Sequence, residues 1–201
     1  LIIVQSILAP SMTENLIIKT LERTSGLEAG VDFGLAYSPA VAPAGGELDY
    51  LRRGTRIISA INEQSLKAAE AVLRLISDGQ FIRINDIKTA EAAAVFSDIY
   101  QDVNVALSNE LASFCEKMGI DYMEVLRAVN SQPHCYLSIP NIEGGRSTET
   151  PHLLISEAEN IGIKLRIASL ARRMNSEASK QAYNLIRDAI HSCRKNVKRA
   201  K

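Results

Sequence analysis

Between Asp86 and Met118 the chain runs for thirty-three residues without a glycine or a proline. Within that stretch Ala92, Val95, Phe96, Ile99, Val103, Ala106, Leu107, Leu111, Phe114, Cys115 and Met118 recur at steps of three and four, the spacing of an amphipathic helix. At roughly 1.5 Å per residue such a helix is about 48 Å long. That is more than a small compact domain needs, so the stretch is expected to join two lobes or two subunits.

Upstream of it, short apolar runs alternate with helical patterns. Leu1 to Ser6 reads as a buried parallel strand, and Thr13 is a plausible N-cap for a helix running to about Arg23. The run FGLAYSP gives a second strand ended by Pro39, and Ala40 to Gly46 must be irregular. Arg56 to Ile61 is a third strand, Glu63 to Ser77 a helix, and Phe81 to Ile84 a fourth strand. Downstream, Asp121 caps a short helix to about Val129, and a loop from Asn130 to Thr150 is long enough to need a function or disorder to explain it. Pro151 suits the first turn of a further helix, and from there to Val197 the pattern is helical, with a break near Gly162. The expectation is an α/β chain: a partial Rossmann-type parallel sheet of about four strands over residues 1–86, followed over 87–201 by an all-helical domain built on the long central helix.

Composition narrows the function. Acidic and basic residues balance at 23 each, so no global field draws the chain to nucleic acid or to an acidic membrane. The one basic run, Arg187 to Lys201, reads as a solvated last helix. Cys115, Cys135 and Cys193 are widely spaced and form no CxxC, which argues against a disulfide framework or zinc site and for a reducing, cytoplasmic setting. No apolar run is long enough to span a membrane, and no basic region precedes the opening LIIVQSILAP as it would in a signal peptide. A chain that opens on Leu1 inside a strand reads as cut from something longer.

Particular words of the sequence go further. TAE followed by YQDVNVALSNELASFCEKMGID resembles the central helix of the UDP-glucose/GDP-mannose (nucleotide-sugar) dehydrogenases, which oxidise a UDP-hexose twice with NAD. VQSILAPSMT resembles that family's strand-and-turn of the type STVPPGTT, GLAYSPAVAPAGG its YSPERxxPG, and SLARRMN at Ser169 to Asn175 its AREIN helix. The UDP-N-acetylmannosamine dehydrogenases are the most similar branch. The resemblance implies a homodimer packed through the central helix. It also implies cofactor contacts near Ser6, Pro10 and Ser38, and nucleotide-sugar contacts near Asp98, Asn104, Gly144 and Gly145.

The resemblance also marks what is missing. The family's Glu after Ser-Pro falls at Ala40, the hydroxyl of its Ser-Thr pair at Ile7, its central-helix Lys at Ala94 and its Asn at Asp98. Its GGHC, which carries the thiol nucleophile, matches Gly144-Gly145-Arg146-Ser147, and the Arg of its His-Pro-Arg run falls at His134. A serine at the nucleophile position needs a general base that the sequence does not offer, and an anion at Asp98 opposes an oxyanion. No GxGxxG occurs, so no cofactor is expected to bind the chain as given, and NAD only with a further N-terminal segment. The expected function is a catalytically inactive homologue acting as a dimerisation and binding module. The alternative is an NAD-dependent oxidoreductase acting on the CH–OH group of a UDP-sugar, seen without its NAD-binding unit.

Blander readings apply to the remaining candidates. Cys115 is expected in the core, His152 exposed or capping its helix, Cys135 beside His134 inert, Gly144-Gly145 a turn, and Asp98 with Asp102 on a solvated face in place of half a metal site.

Overall fold

A computed structural model describes residues 1–40, 47–142 and 149–192. The four expected strands are present: β1 (Ile2–Val4), β2 (Leu35–Tyr37), β3 (Arg56–Ala60) and β4 (Phe81–Arg83), in spatial order β1-β2-β3-β4. The sheet is mixed where an all-parallel one was expected. β1 runs parallel to β2 and β3 parallel to β4, but β2 and β3 are antiparallel, pairing Ala36 with Ala60 and Tyr37 with Ser59. β1 is also not buried on both faces. It is an edge strand, with Ile2 exposed and Val4 half-buried.

Alternation along β2 sends side chains to two separate cores. Leu35 and Tyr37 pack with Ile87 and Ala90, whereas Ala36 packs with Ile58, Ala69 and Leu73. The first core is closed by a π-helical stretch, Thr13–Ile18, that continues into α1 (Lys19–Ser25). Thr13 is buried inside this stretch and does not cap it; the residue before it, Met12, is already helical. The second core is closed by α3 (Glu63–Leu73), whose cap is Asn62, accepting from the Ser65 amide at 2.8 Å. α3 ends four residues earlier than the sequence suggests, because Leu75 and Ile76 leave the helix through tight turns and stay exposed.

A short helix the sequence did not announce, α2 (Glu47–Arg53), precedes β3. Its exit passes so close to the approach to β4 that a Cβ on Gly79 would lie 2.0 Å from the Gly54 carbonyl oxygen. Space, and not backbone dihedral, fixes glycine there. α3 is tied to β4 by Glu70, a buried carboxylate that accepts from Arg74 at 2.6 Å and from Arg83 at 2.7 Å.

α4 (Ile87–Met118) forms as one helix of 32 residues. Asp86 caps it through the Thr89 amide at 2.8 Å, and Gly119, at φ +70°, ends it with Ile120 donating back to the Cys115 carbonyl at 2.9 Å. Its first turn sits in the core of the sheet while its later turns pack against α5 (Tyr122–Asn130), α6 (Glu149–Asn160) and α7 (Arg166–Ser192). Asp121 caps α5 as expected, and the chain turns between α6 and α7 at Gly162, φ +79°. Residues 193–201, which carry most of the basic run, lie outside the described residues.

Two outcomes test this packing. Gly79→Ala should lower unfolding stability by about 2–3 kcal/mol, read as a shift of the urea midpoint, since neither backbone can withdraw. Arg74 first, and then Arg83, holds the Glu70 carboxyl below its usual range. A carboxyl lowered by folding stabilises above its unfolded pKa of about 4.3 and loses that contribution as pH falls through the folded value. Tm should therefore drop more steeply below about pH 4.3 for the native protein than for Glu70→Gln.

Candidate functional site

Four side chains one turn apart on α4, at Glu91, Ala94, Asp98 and Asp102, face inward and are buried. Glu91 is fully buried; one oxygen accepts from the Ser11 amide at 2.6 Å and the other from the Thr13 amide at 2.7 Å. It therefore satisfies donors at the start of the Thr13–Ile18 stretch, the role expected of Thr13 itself. Ser11 holds φ +72°, a left-handed turn that presents those amides.

Asp98 and Asp102 are each 1 % exposed, so the expected solvated face is wrong. The reason lies on α7. Arg172 donates to Asp102 Oδ1 at 2.8 Å, and Asn175 donates at 2.8 Å both to that oxygen and to the Asp102 carbonyl. Arg172 and Asn175 stand three apart and so share a face, which is the physical content of the ARRMN segment. Asp98 lies near Tyr37. Burial pushes the Tyr37 hydroxyl well above its ordinary range, the nearby Leu8 backbone opposes this, and the charges of Glu91 and Asp98 push it further up.

Asn104 is buried and holds the chain beyond α5. Its amide nitrogen donates to the Tyr136 carbonyl at 2.8 Å, and its oxygen accepts from the Ser138 amide at 2.8 Å. Asn109 makes the same two-point contact with Asn141, and Asn130 with Leu137. The loop that the sequence left open is thus stitched to α4 and α5 as far as residue 142 by three asparagines acting like strand partners. Gly144, Gly145, Arg146 and Ser147 lie outside the described residues.

The other predicted positions fall as follows. Ser6 and Ala40 are exposed and Pro10 is half-buried, while Ser38 is buried and donates to the Ile57 carbonyl at 2.8 Å across β2 and β3. Cys115 is in the core with Tyr122 and Leu126 and His152 is exposed, both as expected, and Cys135 is exposed. His134 takes φ +69°. Among the described residues no three His, Cys, Asp or Glu side chains gather as for a metal, and no helix is long and apolar enough to cross a membrane.

Two concavities flank α4. One of about 320 Å³ lies between β3, α2 and α4 and includes Pro39, Arg56, Ala94 and Ser97. The other, about 510 Å³, lies between α4 and α7 and includes Asn109, Asn141, Ile142 and Asn175. The inward face of α4 thus sets the Ala94 methyl between the buried carboxylates of Glu91 and Asp98, near the β2 end at Tyr37.

Comparison with known proteins agrees with this architecture. Residues 88–177 match the model of the UDP-glucose/GDP-mannose dehydrogenase family, central domain. The UDP-N-acetyl-D-mannosamine dehydrogenase of Pyrococcus horikoshii is 32 % identical over 98 % of this chain and 46 % of its own. A UDP-N-acetyl-D-glucosamine 6-dehydrogenase of Pseudomonas aeruginosa is 30 % identical over 87 % of this chain and 42 % of its own. The solved structure of UDP-D-ManNAc dehydrogenase from Pyrococcus horikoshii superposes with a TM-score of 0.84 at 29 % identity, covering 97 % of this chain and 46 % of that one. The chain therefore spans less than half the length of these relatives. With a central helix, a preceding sheet and a following helical layer in common with them, it belongs to the UDP-glucose/GDP-mannose dehydrogenase family.

Proposed function

We propose that this chain is a catalytically silent homologue of the nucleotide-sugar dehydrogenases whose role is to pair with a second copy of itself through α4. The observation that carries the reading is the outer side of that helix. Phe96, Tyr100, Leu107, Leu111, Phe114 and Met118 are all exposed, with Phe96 at 58 % and Phe114 at 59 %. With half-buried Val103 they recur at steps of three and four, a row about 33 Å long at roughly 1.5 Å per residue. A continuous apolar row of that length on one straight helix suits the same row on a two-fold partner, each side chain meeting its equivalent. Ile99, which the sequence also gave to this face, is half-buried within the chain.

Silence is supported by the inward side. The methyl of Ala94 and the carboxylate of Asp98 occupy the positions where the family resemblance puts an ammonium and a neutral amide. The charges of Glu91 and Asp98 make the space beside Tyr37 unfavourable to further negative charge. Loss of a single oxyanion donor typically costs roughly 3–4 kcal/mol of barrier.

A second reading is favoured by the coverage: the relatives are more than twice as long as the matched region, and a cofactor-binding unit could lie in the remainder. On that reading the longer protein is an NAD-dependent oxidoreductase of a UDP-sugar. The two separate cleanly. Incubated with a UDP-hexose and NAD, the full-length protein should form NADH no faster than the buffer blank; turnover above it supports the second reading and sinks the first. For the pairing, Phe96→Glu combined with Phe114→Glu should halve the mass seen by light scattering while leaving the circular dichroism unchanged. An unaltered mass counts against α4 as the interface.

A further inference from the structure

Charge balances over the whole chain but not along it. From Asn160 to Ser176, across the turn between α6 and α7 and the first turns of α7, there is no aspartate or glutamate, while Lys164, Arg166, Arg172 and Arg173 are all cations. Arg172 is turned inward onto Asp102. The other three are exposed, and among the described residues none of them is in an ion pair. The same stretch exposes its aliphatic side chains. Ile161 and Ile163 flank Gly162, whose φ of +79° turns the chain, and both are exposed; Ile167, at 72 %, and Leu170, at 48 %, follow on one side of α7. The side chains that α7 buries here include Ala168 and Ala171. Burial stabilises in proportion to apolar area, so a helix that turns alanines inward and leaves isoleucine and leucine in water is the reverse of what folding alone selects.

We propose that the turn between α6 and α7, with the start of α7, docks on the surface of an anionic bilayer. Ile161, Ile163, Ile167 and Leu170 enter the boundary between headgroups and acyl chains, and Lys164, Arg166 and Arg173 meet the lipid anions. Charge and shape select this occupant. Unpaired cations beside aliphatic side chains call for a surface that is negative and apolar within a few ångströms, which an anionic lipid interface offers. The patch is a projecting turn; the two concavities beside α4 include none of these seven residues. It also carries no Trp, Tyr or Phe, the aromatic anchors that dominate many protein–protein contacts. Neutrality of the whole chain does not oppose it, because exposed charges act over only about 8 Å at physiological ionic strength. The docking surface does not rest on the chain's silence or on its pairing through α4.

Sedimentation of the protein with vesicles tests this, using phosphatidylcholine alone or phosphatidylcholine with one-third phosphatidylserine. The protein should pellet with the anionic vesicles and stay in solution with the neutral ones. A basic residue close to an anionic surface strengthens binding about fivefold, so Lys164→Gln combined with Arg166→Gln should lower the partition constant roughly 25-fold. Ile163→Glu combined with Ile167→Glu should abolish pelleting. Both pairs replace exposed side chains, so the circular dichroism should not change. Equal pelleting with neutral vesicles, or pelleting undiminished by either pair, overturns the proposal. So does a protein that never pellets, which leaves an acidic protein as the occupant. A fall in light-scattering mass caused by Ile163→Glu with Ile167→Glu also overturns it, since a second copy would then cover the patch.

Discussion

Glu91 and Asp102 lie three turns apart on α4, both buried, and each is held by a different part of the chain. A buried carboxylate costs several kcal/mol unless hydrogen bonds or an opposite charge compensate it, so each fixes its partner segment with little tolerance. Glu91 sets where the Thr13–Ile18 stretch begins and therefore how that stretch and α1 lie over Leu35 and Tyr37. Asp102 sets how far α7 can slide along α4, because Arg172 and Asn175 must both reach it. Hydrophobic contact alone permits small shifts between helices. Two polar contacts on one rigid rod do not, and the sheet layer and the helical layer are thereby placed relative to each other.

The same helix explains why its apolar pattern looked like a single stripe. Val95, Val105, Ala106 and Cys115 are buried within the chain, while Phe96, Leu107, Phe114 and Met118 are exposed. Periodicity shows that a helix has apolar residues at regular steps, but adjacent apolar positions such as Val95 and Phe96 or Ala106 and Leu107 point about 100° apart. The stripe is therefore two rows, one used for folding and one left over.

What was legible followed from local chemistry. The strands, the cap Asp121, the break at Gly162 and the core place of Cys115 all depend on residues close in sequence. What was not legible depended on distance. Asp102 looks like a surface acid until Arg172, seventy residues on, is brought beside it. Thr13 looks like a cap until a carboxylate seventy-eight residues away takes over the task. The antiparallel β2–β3 pair and the helix α2 escaped for another reason: the intervening segment is rich in glycine, proline and alanine, and seven helical residues carry too few turns to show a period. Of the site, the sequence named Asp98 and Asn104 but not their burial.

The polar residues that hold the fold and the positions that the family resemblance ties to a reaction are interleaved on α4. Glu91, Asp102 and Asn104 each satisfy partners whose loss would leave buried donors exposed to no solvent, so their replacement is costly whatever the protein does. Ala94 satisfies none; at 2 % exposure its methyl simply completes the wall of the cavity that Arg56 shares. A lysine placed there would stand one turn from the buried carboxylates of Glu91 and Asp98 and beside the cavity that Arg56 shares, so its charge would answer to all three groups.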